Sequence, residues 1–218
     1  MSIRSQFTAQ ELETIRDATR DAERQTGGEL VCVIVQQADV YESSLWKGAA
    51  IGAIGGTVLA GLWLTFSNLW IGPVMPWVLL PGVLGAATGT LLSWTLPALR
   101  RLLVPPLLMD RRVDRRAAVA FLAEEIFDTR DRTGVLVFVS LFEHGIRILR
   151  DRGVEERVPE DAWDPIVEEL SRELRRGRKA TAIAAAVEAC GQLLVEHGVA
   201  RRIDDQKELA DDPRLFDD

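Results

Sequence analysis

Hydrophobic and polar positions divide the chain into segments of clearly different kind. No charged residue occurs from Gly48 to Leu99. As continuous helix, that length is roughly twice what one bilayer crossing needs, since about 20 residues span the hydrocarbon. The pattern therefore predicts two transmembrane spans, at about 46–66 and 74–96, joined by a short polar turn around Ser67 and Asn68. Ahead of them, "TAQELETIRDATRDAERQTGG" reads as a helix. Thr8 and Glu11 have capping-box spacing, Leu12, Ile15 and Ala22 keep helical spacing, and Gly27 with Gly28 stops it. "ELVCVIVQ", Glu29 to Gln36, is rich in β-branched residues without polar alternation, as expected of a strand covered on both faces.

After the apolar stretch, "LLVPPLLM" interrupts helix at Pro105 and Pro106 while staying apolar, which suits a segment at a membrane surface. A basic helix follows, with an expected apolar side of Ala117, Phe121, Leu122 and Ile126, and with Glu124 and Glu125 outside. "VLVFVSL", Val135 to Leu141, predicts a second buried strand, and "IRILRD" after the turn "FEHG" predicts its hairpin partner. Trp163, Ile166, Val167, Leu170 and Leu174 mark one closing helix ended by Gly177. Ile183, Val187, Leu193 and Leu194 mark another, ended by Gly198. A lone strand before the hairpin cannot cover its own two apolar faces, so it is expected to join the later strands in one sheet. That assigns 1–44 and 100–198 to one α/β domain, 45–99 to a transmembrane helical hairpin inserted in it, and 199–218 to an acidic, mobile tail.

Charge adds orientation. Arg100, Arg101, Arg111, Arg112, Arg115 and Arg116 follow the second span, Lys47 precedes the first, and the turn between carries no cation. The positive-inside rule then places both termini in the cytoplasm of a multi-pass protein of the inner (plasma) membrane. The start of the chain, "MSIRSQFTAQ", does not read as a secretory signal. Trp46, Trp63, Trp70, Trp77 and Trp94 lie near the span ends, where indole rings favour the headgroup level. Gly48, Gly52, Gly56 and Ala60 recur every four residues on the first span, as do Gly85, Gly89 and Ser93 on the second. Such faces let backbones approach closely, within the hairpin or across a homodimer. The arginines either dock on an anionic lipid leaflet, each contributing on the order of 1 kcal/mol, or simply set topology.

A net charge of -7 argues against a nucleic-acid binder. Cys32 and Cys190 lack the spacing of a zinc site or a disulfide framework and read as buried free thiols. GxxxxGK, GxSxG, HExxH and a strand-to-helix GxGxxG are all missing, which leaves the common enzyme classes unsupported. Two spans without an intramembrane charge give transport little support.

"GGELVCVIV", "DRTGVLVFVSL" followed by "IRILRDRGV", "VPEDAWDPIVEEL" and "RRGRKATAIAAAVEACGQLL", in this order, resemble the TPM domain family. The likeness is to its membrane-anchored bacterial branch, in which a two-helix hairpin interrupts the domain. The resemblance implies a three-layer α/β/α sandwich around a small mixed sheet. For function it implies less: some family members are reported as acid phosphatases, some bind Ca2+, and many have no known activity. The family's acidic positions correspond here to Asp128, Asp131, Asp151 and Asp161. The chain departs from the pattern at Arg132 and Thr133, where the family places an acid and an asparagine. That removes two donors from a calcium shell of about six to eight oxygens.

Two readings of the aspartates follow. In one they converge as a metal or phosphoryl-transfer site. In the other Asp128 and Asp131 pair with Arg130 and Arg132, Asp151 caps a turn and Asp161 caps a helix. His144 is expected as a turn residue, and His197 as a favourable group at a helix C-terminus. The function expected is a membrane-anchored, cytoplasm-facing module that serves a membrane or cytoplasmic protein partner, the alternative being a weak metal-assisted acid phosphatase.

Overall fold

The structure is a computed structural model that describes residues 3–67, 72, 74–199 and 209–217. The chain divides into two compact units, Val40–Met109 and the remainder.

In the larger unit a 3-10 turn at Ile3–Gln6 leads to α1 (Ala9–Gln25), then β1 (Glu29–Val35). The chain returns through α5 (Pro106–Ala123) to β2 (Gly134–Ser140), β3 (Gly145–Arg150) and the single turn α6 (Arg152–Glu155). A 3-10 turn at Glu160–Trp163 precedes α7 (Asp164–Arg175) and α8 (Lys179–Glu196), and β4 (Arg214–Phe216) comes last. The capping box predicted for α1 is formed: the Glu11 N–H donates to Thr8 Oγ1 at 3.2 Å, and the Thr8 N–H donates to Glu11 Oε2 at 2.7 Å. Gly177 and Gly198 take φ of +82° and +77° just past the ends of α7 and α8, a backbone that an L side chain rarely adopts.

The sheet order is β3-β2-β1-β4. β1 runs parallel to β2, from Glu29 opposite Gly134 to Val35 opposite Ser140, while β2 and β3 form an antiparallel hairpin. The strands on either side of the inserted unit are thus direct neighbours, as the apolar character of β1 required. Alternation of side chains along β1 assigns its residues to two cores. Leu30, Cys32 and Ile34 join Ile15, Trp163, Leu170, Ile183 and Leu194 on one face. Val31, Val33 and Val35 join Val113, Ala117, Leu136 and Phe138 on the other. With α5 over one face and α1, α7 and α8 over the other, the unit is an α/β/α sandwich around a mixed sheet. Gly191 of α8 is required by the packing, since a Cβ there would come within 2.7 Å of Ala22 Cβ on α1.

Two expectations meet the structure here. Of the residues expected as an acidic, mobile tail, the described part includes a short strand on the sheet. Leu215 pairs with Ile34, so β4 covers an edge that β1 would otherwise leave open. The acids that suggested solvation instead face α1, with Asp211 3.2 Å from Arg20 and Asp212 3.2 Å from Arg16. The stretch from 200 to 208 lies outside the described residues. Secondly, Leu122 was expected on the inner side of α5 and is 62% exposed, whereas Glu124, expected outside, is partly buried and pairs with Arg214 at 2.8 Å. At about 100° per residue Leu122 lies about 140° around the helix from the buried Ala117, whereas Glu124, whose N–H still donates to Ala120 O at 3.0 Å, lies within about 20° of it.

The smaller unit holds α2 (Glu42–Phe66), α3 (Val74–Thr95) and α4 (Pro97–Leu103). Within α2 and α3, stretches of 25 and 21 residues are long and apolar enough to cross a membrane. At 1.5 Å per residue they are about 37 and 31 Å long, against a hydrocarbon core of about 30 Å. The expected connecting turn, with Asn68 and Trp70, lies outside the described residues.

The glycines predicted to permit close approach do so within one chain. A Cβ on Gly52 would sit 2.0 Å from Gly85 O, one on Gly56 2.2 Å from Pro81 O, and one on Gly89 2.1 Å from Gly48 O. These faces are occupied by each other inside the hairpin. Thr65, Thr88, Thr90 and Thr95 donate their hydroxyls to carbonyls one turn earlier, which satisfies them without water.

Candidate functional site

The loop from Asp128 to Gly134 and the turn after β3 form a clasp at one end of the sheet. The Asp151 N–H donates to Gly134 O and the Gly153 N–H to Arg132 O, both at 2.9 Å. Gly153 allows this approach: a Cβ there would lie 2.4 Å from Asp131 O and 2.7 Å from Arg132 O. Gly134 has the same duty, with Ile126 O 2.2 Å from its would-be Cβ. Thr133 fastens the loop by donating its hydroxyl to Gly27 O at 2.8 Å, while its own N–H reaches Thr129 Oγ1 at 3.1 Å.

Asp151 is the central acid. Its side chain is 6% exposed, and Oδ1 accepts the Arg152 N–H at 2.7 Å, which caps α6. Oδ2 lies 2.9 Å from Arg132 Nε, an ion pair not aligned as a hydrogen bond. Arg132 takes φ +55° to deliver its guanidinium there. On the other side of Asp151 in sequence, the Arg150 guanidinium stacks over the Trp163 ring, 5.6 Å from its centroid.

The other predicted acids are placed differently. Asp128 and Asp131 are exposed in the loop, and Asp161 is exposed within the 3-10 turn before α7 and does not cap that helix. Arg132, expected to pair with a loop aspartate, pairs with Asp151. The clasp brings the backbone of Asp131 against Gly153, two residues after Asp151. Among the described residues no three His, Cys, Asp or Glu side chains are grouped to hold a metal ion. The donor set does not fit a calcium ion: one oxygen of the buried carboxylate is taken by a backbone N–H, and a guanidinium faces the other.

His144 is an exposed turn residue with φ +54°. His197 follows α8, its Nδ1 2.9 Å from Leu193 O. Cys32 and Cys190 are free and buried, and burial pushes both thiols up to about 12. A groove of about 260 Å³ lies between α7 and α8, with Ile166, Leu170, Ala182, Ala185 and Ala186 along it. Its carboxylates, Glu169 and Glu173, are engaged by Arg172, Arg176 and Arg178, so it presents apolar surface rather than acid or base chemistry.

Of the arginines expected at a membrane surface, Arg112 lies 2.9 Å from Asp39, Arg116 stacks on Phe216 at 6.0 Å, and Arg100 donates to Val40 O. Arg111 and Arg115 are exposed. The roles of Arg132, Arg150 and Trp163 were not identified from the sequence. The only signal for Arg132 was its departure from an acidic pattern.

An α/β/α sandwich carrying a basic clasp, with an apolar helical pair inserted between its first and second strands, defines the class: an α/β domain with a hairpin of membrane-span length. Residues 100–193 match the model of the TPM domain. The match begins in α4, but the parallel pairing of β1 with β2 extends the folded unit to residues ahead of the hairpin. The chain shares its fold with the BA42 protein of the psychrophilic bacterium Bizionia argentinensis, whose structure was determined by NMR. The TM-score is 0.57 at 18% identity, over 96% of this chain and 94% of that one. No curated protein sequence matches the chain.

Proposed function

We propose that this TPM-domain protein is held in the inner membrane by the α2–α3 hairpin, with both termini cytoplasmic, and acts as an interaction or accessory module for a membrane or cytoplasmic protein. The observation that carries the membrane reading is exposure. The most apolar windows of the two long helices are 0% and 6% buried, whereas an apolar helix in a soluble core is mostly covered. Trp46 and Trp94 lie at one end of the antiparallel pair and Trp63 and Trp77 at the other, each at least half exposed, as an interfacial belt requires. The cytoplasmic orientation rests on Lys47, Arg100 and Arg101 flanking the uncharged stretch.

An interaction role is favoured over a metal-assisted phosphatase because the buried carboxylate of the clasp is already neutralised by Arg132. Topology is tested with single cysteines and a membrane-impermeant maleimide. Ser67→Cys is expected to label from outside intact cells, and Glu168→Cys only in inverted vesicles; the reverse pattern would refute the orientation. Purified protein is then tested on a generic phosphate ester. Turnover that disappears in both Asp131→Asn and Asp151→Asn, with the fold intact, would replace the interaction reading with the enzymatic one.

A further inference from the structure

We propose that the outer stripe of α5, formed by Arg111, Arg115, Ala118, Val119 and Leu122, docks on an anionic bilayer surface; this rests on the membrane reading of α2 and α3. At 100° per residue these five positions share one side of the helix, opposite Val113 and Ala117 in the core. All five are exposed, Val119 at 48% and Leu122 at 62%.

The charges flanking the stripe are paired with other groups of the domain. On one side Asp110 and Asp114 both pair with Arg147, which offsets one of their two charges. On the other, Arg112 is held by Asp39 and Arg116 by the Phe216 ring. Arg111 and Arg115 make no ion pair among the described residues, so the stripe presents two uncompensated guanidinium groups next to exposed aliphatic side chains. That combination fits a lipid headgroup layer, where cations meet phosphates and aliphatic groups reach the acyl boundary. It also explains why Leu122 faces outward against its expected place in the core.

Chain connectivity permits the contact. From Thr95, at the end of α3, to Arg111 the path is about 35 Å at most, counting helical residues at 1.5 Å and the others at about 3.5 Å. That bound leaves Arg111 able to reach a bilayer surface.

The test uses the full-length protein in lipid nanodiscs, with an environment-sensitive fluorophore on Leu122→Cys. Cys32 and Cys190, at 2% and 0% exposure, do not compete for the label in the folded protein. Glu168→Cys, on α7 across the sheet, is the exposed control. In discs containing phosphatidylglycerol the Leu122 label is expected to shift to the blue and to be quenched by nitroxide lipids. The effect is expected to be lost in purely zwitterionic discs, in about 1 M salt, where screening falls to about 3 Å, and in Arg111→Gln/Arg115→Gln. A Leu122 label that behaves like the Glu168 control overturns the proposal. So does quenching that is equal in both lipids and survives the arginine changes. A label at Leu59→Cys in α2 separates the two inferences. Without quenching by deep nitroxides there, the membrane reading itself fails; quenching at Leu59 but not at Leu122 refutes only the docking of α5.

Discussion

Arg132 and Asp151 provide the sharpest test of the clasp. The carboxylate is 6% exposed and the guanidinium 55%, with Nε 2.9 Å from Oδ2. Two unit charges 4 Å apart attract by about 4 kcal/mol at an effective dielectric of about 20. Exposure of Arg132 screens much of that, which places the pair between a surface bridge of at most about 1 kcal/mol and a buried one of about 3–5 kcal/mol. A coupling of about 1–2 kcal/mol is expected from a double-mutant cycle of Arg132→Ala, Asp151→Ala and the double variant. The cycle also removes the separate loss of the α6 cap, since that loss occurs in Asp151→Ala whether or not Arg132 is present. The readout is native-state hydrogen exchange of the full-length protein in nanodiscs, followed at the Asp151 and Gly153 amides that close the clasp. Measured where reclosing outpaces exchange, the rates convert directly to opening free energies. Coupling below about 0.3 kcal/mol would mean that Arg132 is a solvated side chain and leave the Asp151 carboxylate open to other partners.

Two further predictions concern other parts of the chain. In the hairpin, Gly52→Ala forces a Cβ to within 2.0 Å of Gly85 O, while Gly55→Ala meets nothing within 4 Å. Thermal unfolding in detergent is expected to show Gly52→Ala destabilised by about 1–3 kcal/mol and Gly55→Ala unchanged or slightly stabilised, and equal effects would refute the glycine contact. In α1, hydrogen bonds from the Thr8 backbone and then its side chain hold the Glu11 carboxyl below its usual range. A carboxyl with a lowered folded-state pKa contributes stability that is present above its unfolded value of about 4.3 and is lost as pH falls through the folded value. Protection at the first turn of α1, taken relative to the intrinsic exchange rate at each pH, is therefore expected to fall below about pH 4 in the native chain. Glu11→Ala should be less protected already at neutral pH and lack that step; an unchanged pH profile of protection would remove the cap from the account.

Local elements were legible because their signals are local. The Thr8–Glu11 cap, the glycines ending α7 and α8, and the β-branched runs of β1 and β2 act through neighbours in sequence, where propensity and periodicity operate. The two long apolar helices were legible for the same reason, since their length and lack of charge are read along the chain itself. Long-range partners were not legible. Asp211, Asp212 and Leu215 have the composition of a mobile tail, and only the open edge of β1 and the arginines of α1 make them a strand and its anchors. Leu122 and Glu124 exchanged their expected places because, at about 100° per residue, Leu122 lies about 140° around α5 from the buried Ala117 while Glu124 lies within about 20° of it.

At the candidate site, sequence order carried the likeness to the TPM domain and drew attention to four aspartates. Whether carboxylates converge depends on loop backbone conformation, here a positive φ at Arg132 and the close approach of Gly153 to the Asp131 carbonyl. Residue identity and short-range spacing determined the helices, strands and apolar spans. Only tertiary structure decided which charges face each other, because Coulomb energy and desolvation depend on distance and burial, and neither is a property of position along the chain.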